Sequence, residues 1–203
     1  MKHGPAGEVR IIGGQWKRTK LPVPDRPGLR PTPDRVRETL FNWLGQDLSG
    51  WRCLDAFAGS GALGFEAASR GAAEVLLLER DRELAARLTQ SRERLKAQAL
   101  RIECTDALGW MRRGTAARFE LVFIDPPFDA QLFDAALAAA APLVVPGGFV
   151  YLEADRAFEG PALAALGLRP HRHLRAGSVH AHLLQRETDG YTGPAMPADG
   201  SPH

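Results

Sequence analysis

Apolar positions along this chain fall into two periods. Short runs rich in branched and aromatic residues recur at "CLDAF" (53–57), "EVLLLE" (74–79), "LRIEC" (100–104), "FELVFI" (119–124) and "FVYLEA" (149–154). Their length and near-continuous hydrophobicity suit strands covered on both faces. Between them the period lengthens to three and four. Val36, Leu40, Trp43, Leu44 and Leu48 share one helical face within "TPDRVRETLFNWLGQDL", and Leu84, Leu88 and Leu95 share another over 81–97. Further helices are expected over 61–71, from near Asp106, and over 130–141. Strands that alternate with helices imply right-handed crossovers and a parallel sheet. The last elements differ. "LRPHRHLRA" and "SVHAHLLQRE" alternate residue by residue and meet at Gly177-Ser178, which predicts an antiparallel hairpin completing a seven-stranded, mostly parallel α/β sheet.

The ends of the chain lack this rhythm. "VRIIGG" is a short strand, and Pro22, Pro24, Pro27 and Pro31 follow in an extended run. Thr32 then reads as a helix N-cap, with Pro33 at the first helical position. The expected organisation is a small basic arm or hairpin over 1–31, one α/β domain over 32–186 and a disordered tail over 187–203. Charge supports the division. Residues 1–37 hold nine Lys and Arg against three acids, a net of +6, whereas the whole chain carries only +2. A basic leader on a mildly acidic body points to a polyanionic partner. No apolar stretch is long and unbroken enough for a membrane span, no export signal is visible, and the two cysteines, Cys53 and Cys104, suit a reduced, cytoplasmic setting.

The chemistry lies where strands end. "LDAFAGSGALG" carries Gly59, Gly61 and Gly64 in G-x-G-x-x-G spacing between a strand and a helix, where a turn can pass close to a ligand. Asp55 closes the first strand of the alternation, Glu79 closes the second and suits ribose hydroxyls, and Asp106 follows the third and could face an adenine amino group. Two cofactor classes compete for such a crevice. Asp55 would repel a pyrophosphate but suits the cationic amino group of S-adenosylmethionine. "DPPF" (Asp125, Pro126, Pro127, Phe128) at the end of the fourth strand favours the second ligand. The Asp125 carboxylate and the Pro126 carbonyl can hold the hydrogens of an exocyclic amine, proline fixes that carbonyl, and Phe128 can stack on a base.

"LDAFAGSGALGFEAASRGA", "LLERD" and "FIDPPF" resemble a class I S-adenosylmethionine-dependent methyltransferase with its Rossmann-like sheet. With "RIIGGQWKRTKLPVP" and "RPTPDRVRETLFNWL", they resemble the RsmD family of bacterial small-subunit (16S) ribosomal RNA guanine-N2-methyltransferases, over roughly residues 8–186. The resemblance implies cofactor contacts from Asp55, Phe57, Ala58, Gly59, Ser60, Gly61, Glu79, Arg80, Asp106 and Ala107, with Asp125 to Phe128 holding the guanine. Arg10, Lys17, Arg18, Arg30, Thr32 and Arg35 are the candidates for contact with 16S ribosomal RNA, within a small subunit or an assembly particle. It further implies a monomeric cytoplasmic enzyme. An adenine-N6 methyltransferase acting on DNA or RNA remains open, as do a nucleotide-dependent oxidoreductase and a non-catalytic RNA-binding assembly factor. His171/His173 and His180/His182 alternate along two strands, so each pair is expected to share a face. No acid or cysteine completes a ligand set, and no metal is expected.

Overall fold

A computed structural model describes residues 7–24, 32–114, 117–127 and 130–188. Elements run in the order β1 (Gly7–Arg10), β2 (Lys20–Val23), α1 (Asp34–Trp43), β3 (Arg52–Asp55), α2 (Ala62–Ser69), β4 (Glu74–Glu79), α3 (Arg82–Leu95) and β5 (Leu100–Cys104). There follow α4 (Ala107–Arg113), β6 (Phe119–Ile124), α5 (Ala130–Ala140), a 3-10 turn, β7 (Val144–Ala154), α6 (Pro161–Ala164), β8 (Leu168–Ala176) and β9 (Val179–Arg186). Seven strands form one sheet in the order β5-β4-β3-β6-β7-β9-β8. The first five are parallel, and β9 pairs antiparallel with both β7 and β8. Gly177, at φ +64, makes the expected turn between β8 and β9. From β3 the chain builds outward through β4 to β5, then crosses back to β6 on the other side. The strand order therefore reverses between β3 and β6, where open α/β sheets form a crevice.

Strand alternation feeds two cores, one on each face. Val75 and Leu77 join Phe41, Phe65, Leu88 and Phe123 on the side of α1, α2 and α3. Leu76 and Leu78 join Leu54, Met111, Phe133 and Leu137 on the side of α4 and α5. Every residue of α2 is buried, which is unusual for a helix flanking a sheet. The cause is the separate β1–β2 hairpin, whose Val9, Ile11, Leu21 and Val23 belong to the same core as Phe65.

A buried charge cluster secures this docking. Glu66, fully buried on α2, accepts hydrogen bonds from the backbone N–H groups of Ile12 and Gly13, each at 2.8 Å. The same carboxylate meets Arg70 Nε at 2.9 Å and Arg37 Nη1 at 3.4 Å. Arg37, also fully buried, donates to the carbonyls of Arg10 (2.8 Å) and Thr32 (3.2 Å) and to Asp34 (2.6 Å). Each buried charge thus has several partners, the condition under which burial of ions is tolerated.

The start of α1 differs from expectation. Pro33 is the N-cap, and no side chain caps the helix. Thr32 turns its hydroxyl away from the helix, toward Asp125. The tail beyond Thr188, the prolines at 27 and 31, Arg30 and Phe128 lie outside the described residues.

Candidate active site

Parallel strands deliver their last side chains to one edge of the sheet, and here that edge is acidic. Asp55 ends β3, Glu79 ends β4, Asp125 follows β6 and Glu153 is the penultimate residue of β7; Asp106 lies just beyond β5. The pairing of Asp55 with Phe123 places Asp125 just past β3, across the switch point from the glycine loop.

The loop is shaped by its glycines and held by two of these acids. Gly59 and Gly61 adopt φ +51 and +78, the left-handed region where a side chain is strained. A Cβ on Gly61 would also lie 2.6 Å from Leu88. Gly64 lets α2 close onto β3: a Cβ there would stand 3.0 Å from Leu77 and 3.1 Å from Asp55. Asp55 Oδ2 accepts the Gly64 N–H at 2.9 Å, and Glu79 accepts the N–H groups of Gly59 (2.9 Å) and Asp81 (2.8 Å). A carboxylate offers about four lone-pair sites, so Glu79 retains acceptor capacity for ribose hydroxyls. Asp106 caps α4 by accepting from Gly109 N–H at 2.6 Å, and it is exposed. Phe57, Gly59 and Ser60 are partly exposed, Arg80 is exposed, and Ala58, Gly61 and Ala107 are buried, so any contact from these last three would fall to the backbone.

Crowding of carboxyls dominates the electrostatics. Burial raises Asp55 from 3.8 to about 7, the Glu79 charge adds to the rise, and the Gly64 N–H opposes it. Asp125 lies well above its ordinary value, through desolvation first and then the charges of Glu153 and Asp55; the Thr32 hydroxyl pulls it back. Burial also raises Glu153, which hydrogen bonds from Thr32 and Tyr151 and the charge of Arg37 partly offset. Tyr151 donates to Glu153 Oε1 at 2.8 Å, and Thr32 Oγ1 lies 3.4 Å from Asp125 Oδ2. One hydroxyl thus serves two carboxyls that repel each other. Each of the two carboxyls therefore holds its proton more tightly than it would alone.

Glu153 and Tyr151 are functional candidates that sequence reasoning misses. The available signal is an acid inside the apolar run "FVYLEA", at a strand end equivalent to those of Glu79 and Asp125. Arg10, Lys17, Arg18 and Arg35 are all exposed, the first three on or beside the hairpin and the last on α1. Thr32 is buried, at 4% exposure, and sits beside Asp125 rather than among these cations. Cys53 is buried and burial pushes its thiol up, which suits an inert core residue; Cys104 is exposed and also free.

The family model described as "Conserved hypothetical protein 95" matches residues 9–185. The chain is 43% identical to ribosomal RNA small subunit methyltransferase D of Escherichia coli K12 over 191 residues, covering 93% of this chain and 95% of that protein. The chain belongs to the RsmD family. The Haemophilus influenzae family member of the same name is 42% identical over 155 residues, which are 74% of this chain and 80% of that one. Among solved structures, a putative methyltransferase, yhhF, from Escherichia coli superposes with a TM-score of 0.80 at 39% identity, covering 90% of this chain and all of that one. Membership makes the chain an rRNA methyltransferase and removes the oxidoreductase and non-catalytic alternatives.

Proposed function

We propose that this chain transfers a methyl group from S-adenosylmethionine to the exocyclic N2 of a guanine in 16S ribosomal RNA. The supporting observation is the juxtaposition of Asp55 and Asp125 at the ends of adjacent parallel strands, with the glycine loop between β3 and α2. The donor set fits the cofactor. Glu79 has lone pairs left for the ribose, Asp106 stands at the adenine end, and a cationic amino group beside Asp55 would ionise a carboxyl that burial holds near 7. S-adenosylmethionine supplies an activated methyl on a positively charged sulfur.

The protein's own residues orient the acceptor and take its proton. Asp125 and the Pro126 carbonyl hold the two amine hydrogens and aim the nitrogen lone pair at the methyl. Once nitrogen has bonded to carbon, it must lose a proton. Asp125, with its affinity for protons raised by burial and then by the charges of Glu153 and Asp55, is a competent acceptor. The Thr32 hydroxyl, which donates to Asp125 Oδ2, helps to orient that carboxyl. Phe128 stacks on the base, which has to leave its helix to enter the crevice. Arg10, Lys17, Arg18, Arg30 and Arg35 hold phosphates.

The substrate is rRNA within a small subunit or assembly particle, and the enzyme acts in the cytoplasm as a monomer. Among the described residues, no helix is long and apolar enough to cross a membrane. Incubation with labelled S-adenosylmethionine and unmodified small subunits, followed by mass spectrometry of nucleosides, tests the assignment. N2-methylguanosine is the expected product; N6-methyladenosine, or no transfer to rRNA, would overturn it.

A further inference from the structure

The β8–β9 hairpin gathers three histidines that the methyl-transfer reaction does not use. Cross-strand register sets His173 opposite His182, and His180 lies two residues before His182 on the same face. A bulge between Pro170 and Arg172 turns His171 out of this group, and its ring packs against Phe149, 5.3 Å between centroids. The sequence pairs therefore recombine. One nitrogen from each of His173, His180 and His182 lies within 4.8 Å of the others.

We propose that His173, His180 and His182 form a binding site for one divalent transition-metal ion of zinc type, with a fourth position open to solvent. Three observations carry it. First, His173 Nε2 and His180 Nδ1 stand 3.1 Å apart. Zinc–imidazole bonds of 2.0–2.1 Å in a tetrahedron place ligand nitrogens about 3.3 Å apart, so this pair has the separation of two ligands of one ion lying to the side of the line between them. The rings now lie nearly parallel, His173 stacked on His182 with centroids 4.5 Å apart, so binding needs a tautomer switch in the donating ring and a turn of the exposed His173 side chain, with no net loss of a proton.

Second, His182 is already oriented from behind. Its Nε2 lies 3.3 Å from the Arg156 carbonyl oxygen, which can only accept, so Nε2 carries the hydrogen and Nδ1 keeps the lone pair. A ligating histidine that donates its other N–H to a backbone carbonyl is the usual arrangement behind a metal. Third, the site is anchored at one end and open at the other. His182 is buried against Phe158, His180 is half-buried and His173 is exposed. The neighbouring Arg175, opposite His180, points its Nε to the Gly177 carbonyl at the turn.

Calorimetric titration of tag-free protein with zinc chloride at about pH 7.5, where free imidazoles are neutral, tests the site. His173→Ala and His180→Ala alter accessible side chains, and His171→Ala is the control. One ion per chain is expected for wild type and His171→Ala, with affinity at least about tenfold weaker in the other two. Cobalt should give the intense visible bands of a four-coordinate site in wild type and His171→Ala, and not in His173→Ala or His180→Ala. Wild-type protein that takes up no stoichiometric ion would overturn the proposal. So would His173→Ala and His180→Ala proteins that bind as tightly as wild type, or loss of binding in His171→Ala.

Discussion

Glu66→Gln should loosen the N-terminal hairpin without touching the cofactor crevice. The two carboxylate oxygens divide the work: Oε1 accepts from Gly13 N–H and Arg70, and Oε2 from Ile12 N–H and Arg37. An amide has one oxygen and one NH2, so either orientation sets a donor against two donors. The negative charge between two buried guanidiniums also disappears. Breaking a buried ion pair costs about 3–5 kcal/mol, and the broken hydrogen bonds fall largely within that figure because they belong to one network. For a domain of this size each kcal/mol lowers the melting temperature by about 2–4 °C, so a fall of about 6–20 °C is expected. Circular dichroism melts give the global effect. Hydrogen exchange at the Ile12 and Gly13 amides reports the local one, and both should lose protection. A fall under about 2 °C with unchanged exchange at these amides would refute the role assigned to Glu66.

Asp125→Ala should nearly abolish methyl transfer while leaving S-adenosylhomocysteine affinity within a few-fold in calorimetry; near wild-type transfer would reduce Asp125 to a strand terminator. Glu79→Ala should weaken S-adenosylmethionine and S-adenosylhomocysteine alike, by roughly ten- to a hundred-fold for the loss of charge-assisted bonds worth about 1.5–3 kcal/mol, and equal affinity would remove it from the site. Asp55, raised from 3.8 to about 7 in the fold, binds its proton more tightly folded than unfolded. Its contribution is therefore present below about pH 4 and is lost as pH rises through about 7, so Asp55→Asn should gain stability relative to wild type across that window in urea titrations. Reversing Arg10, Lys17 and Arg18 to Glu should weaken rRNA-particle binding and flatten its salt dependence, by about 0.7–0.9 log units per log unit of salt for each phosphate no longer neutralised, with cofactor affinity unchanged.

The sheet and the crevice are legible in the sequence because they rest on local rules. Runs such as "EVLLLE" and "FELVFI" carry the period of buried strands, and parallel pairing then forces every strand end to one edge. Asp55, Glu79, Asp106 and Asp125 are thus placed by chain direction alone. What the sequence hides depends on contacts between distant segments. Pro33 can open a helix with or without a capping threonine, and only the neighbouring Asp125 explains why Thr32 faces elsewhere. Glu66 reads as an ordinary helix acid until Arg37, twenty-nine residues earlier in the chain, is brought against it. A single-residue bulge in β8 likewise regroups the histidines, because one inserted residue changes the face that follows.

The docking of the hairpin bears on how a basic leader can serve catalysis. A loose arm can raise affinity for a polyanion, but it cannot fix where the target base arrives. Methyl transfer is sensitive to position: a misplacement of about 1 Å can cost about a hundred-fold in rate. In this chain the path from cations to acid is short and hydrogen-bonded throughout. Arg10 contributes its carbonyl to Arg37, Arg37 holds the Thr32 carbonyl, and the Thr32 hydroxyl reaches Asp125. Each link joins a buried side chain to backbone or to another side chain, so hairpin and strand-end acid share one frame. On the proposed reading, phosphates held at Arg10, Lys17 and Arg18 register the rRNA against the same frame that aims the amine. On that same reading the Arg37 side chain, fully buried and bonded to the Arg10 and Thr32 carbonyls, would join grip to chemistry.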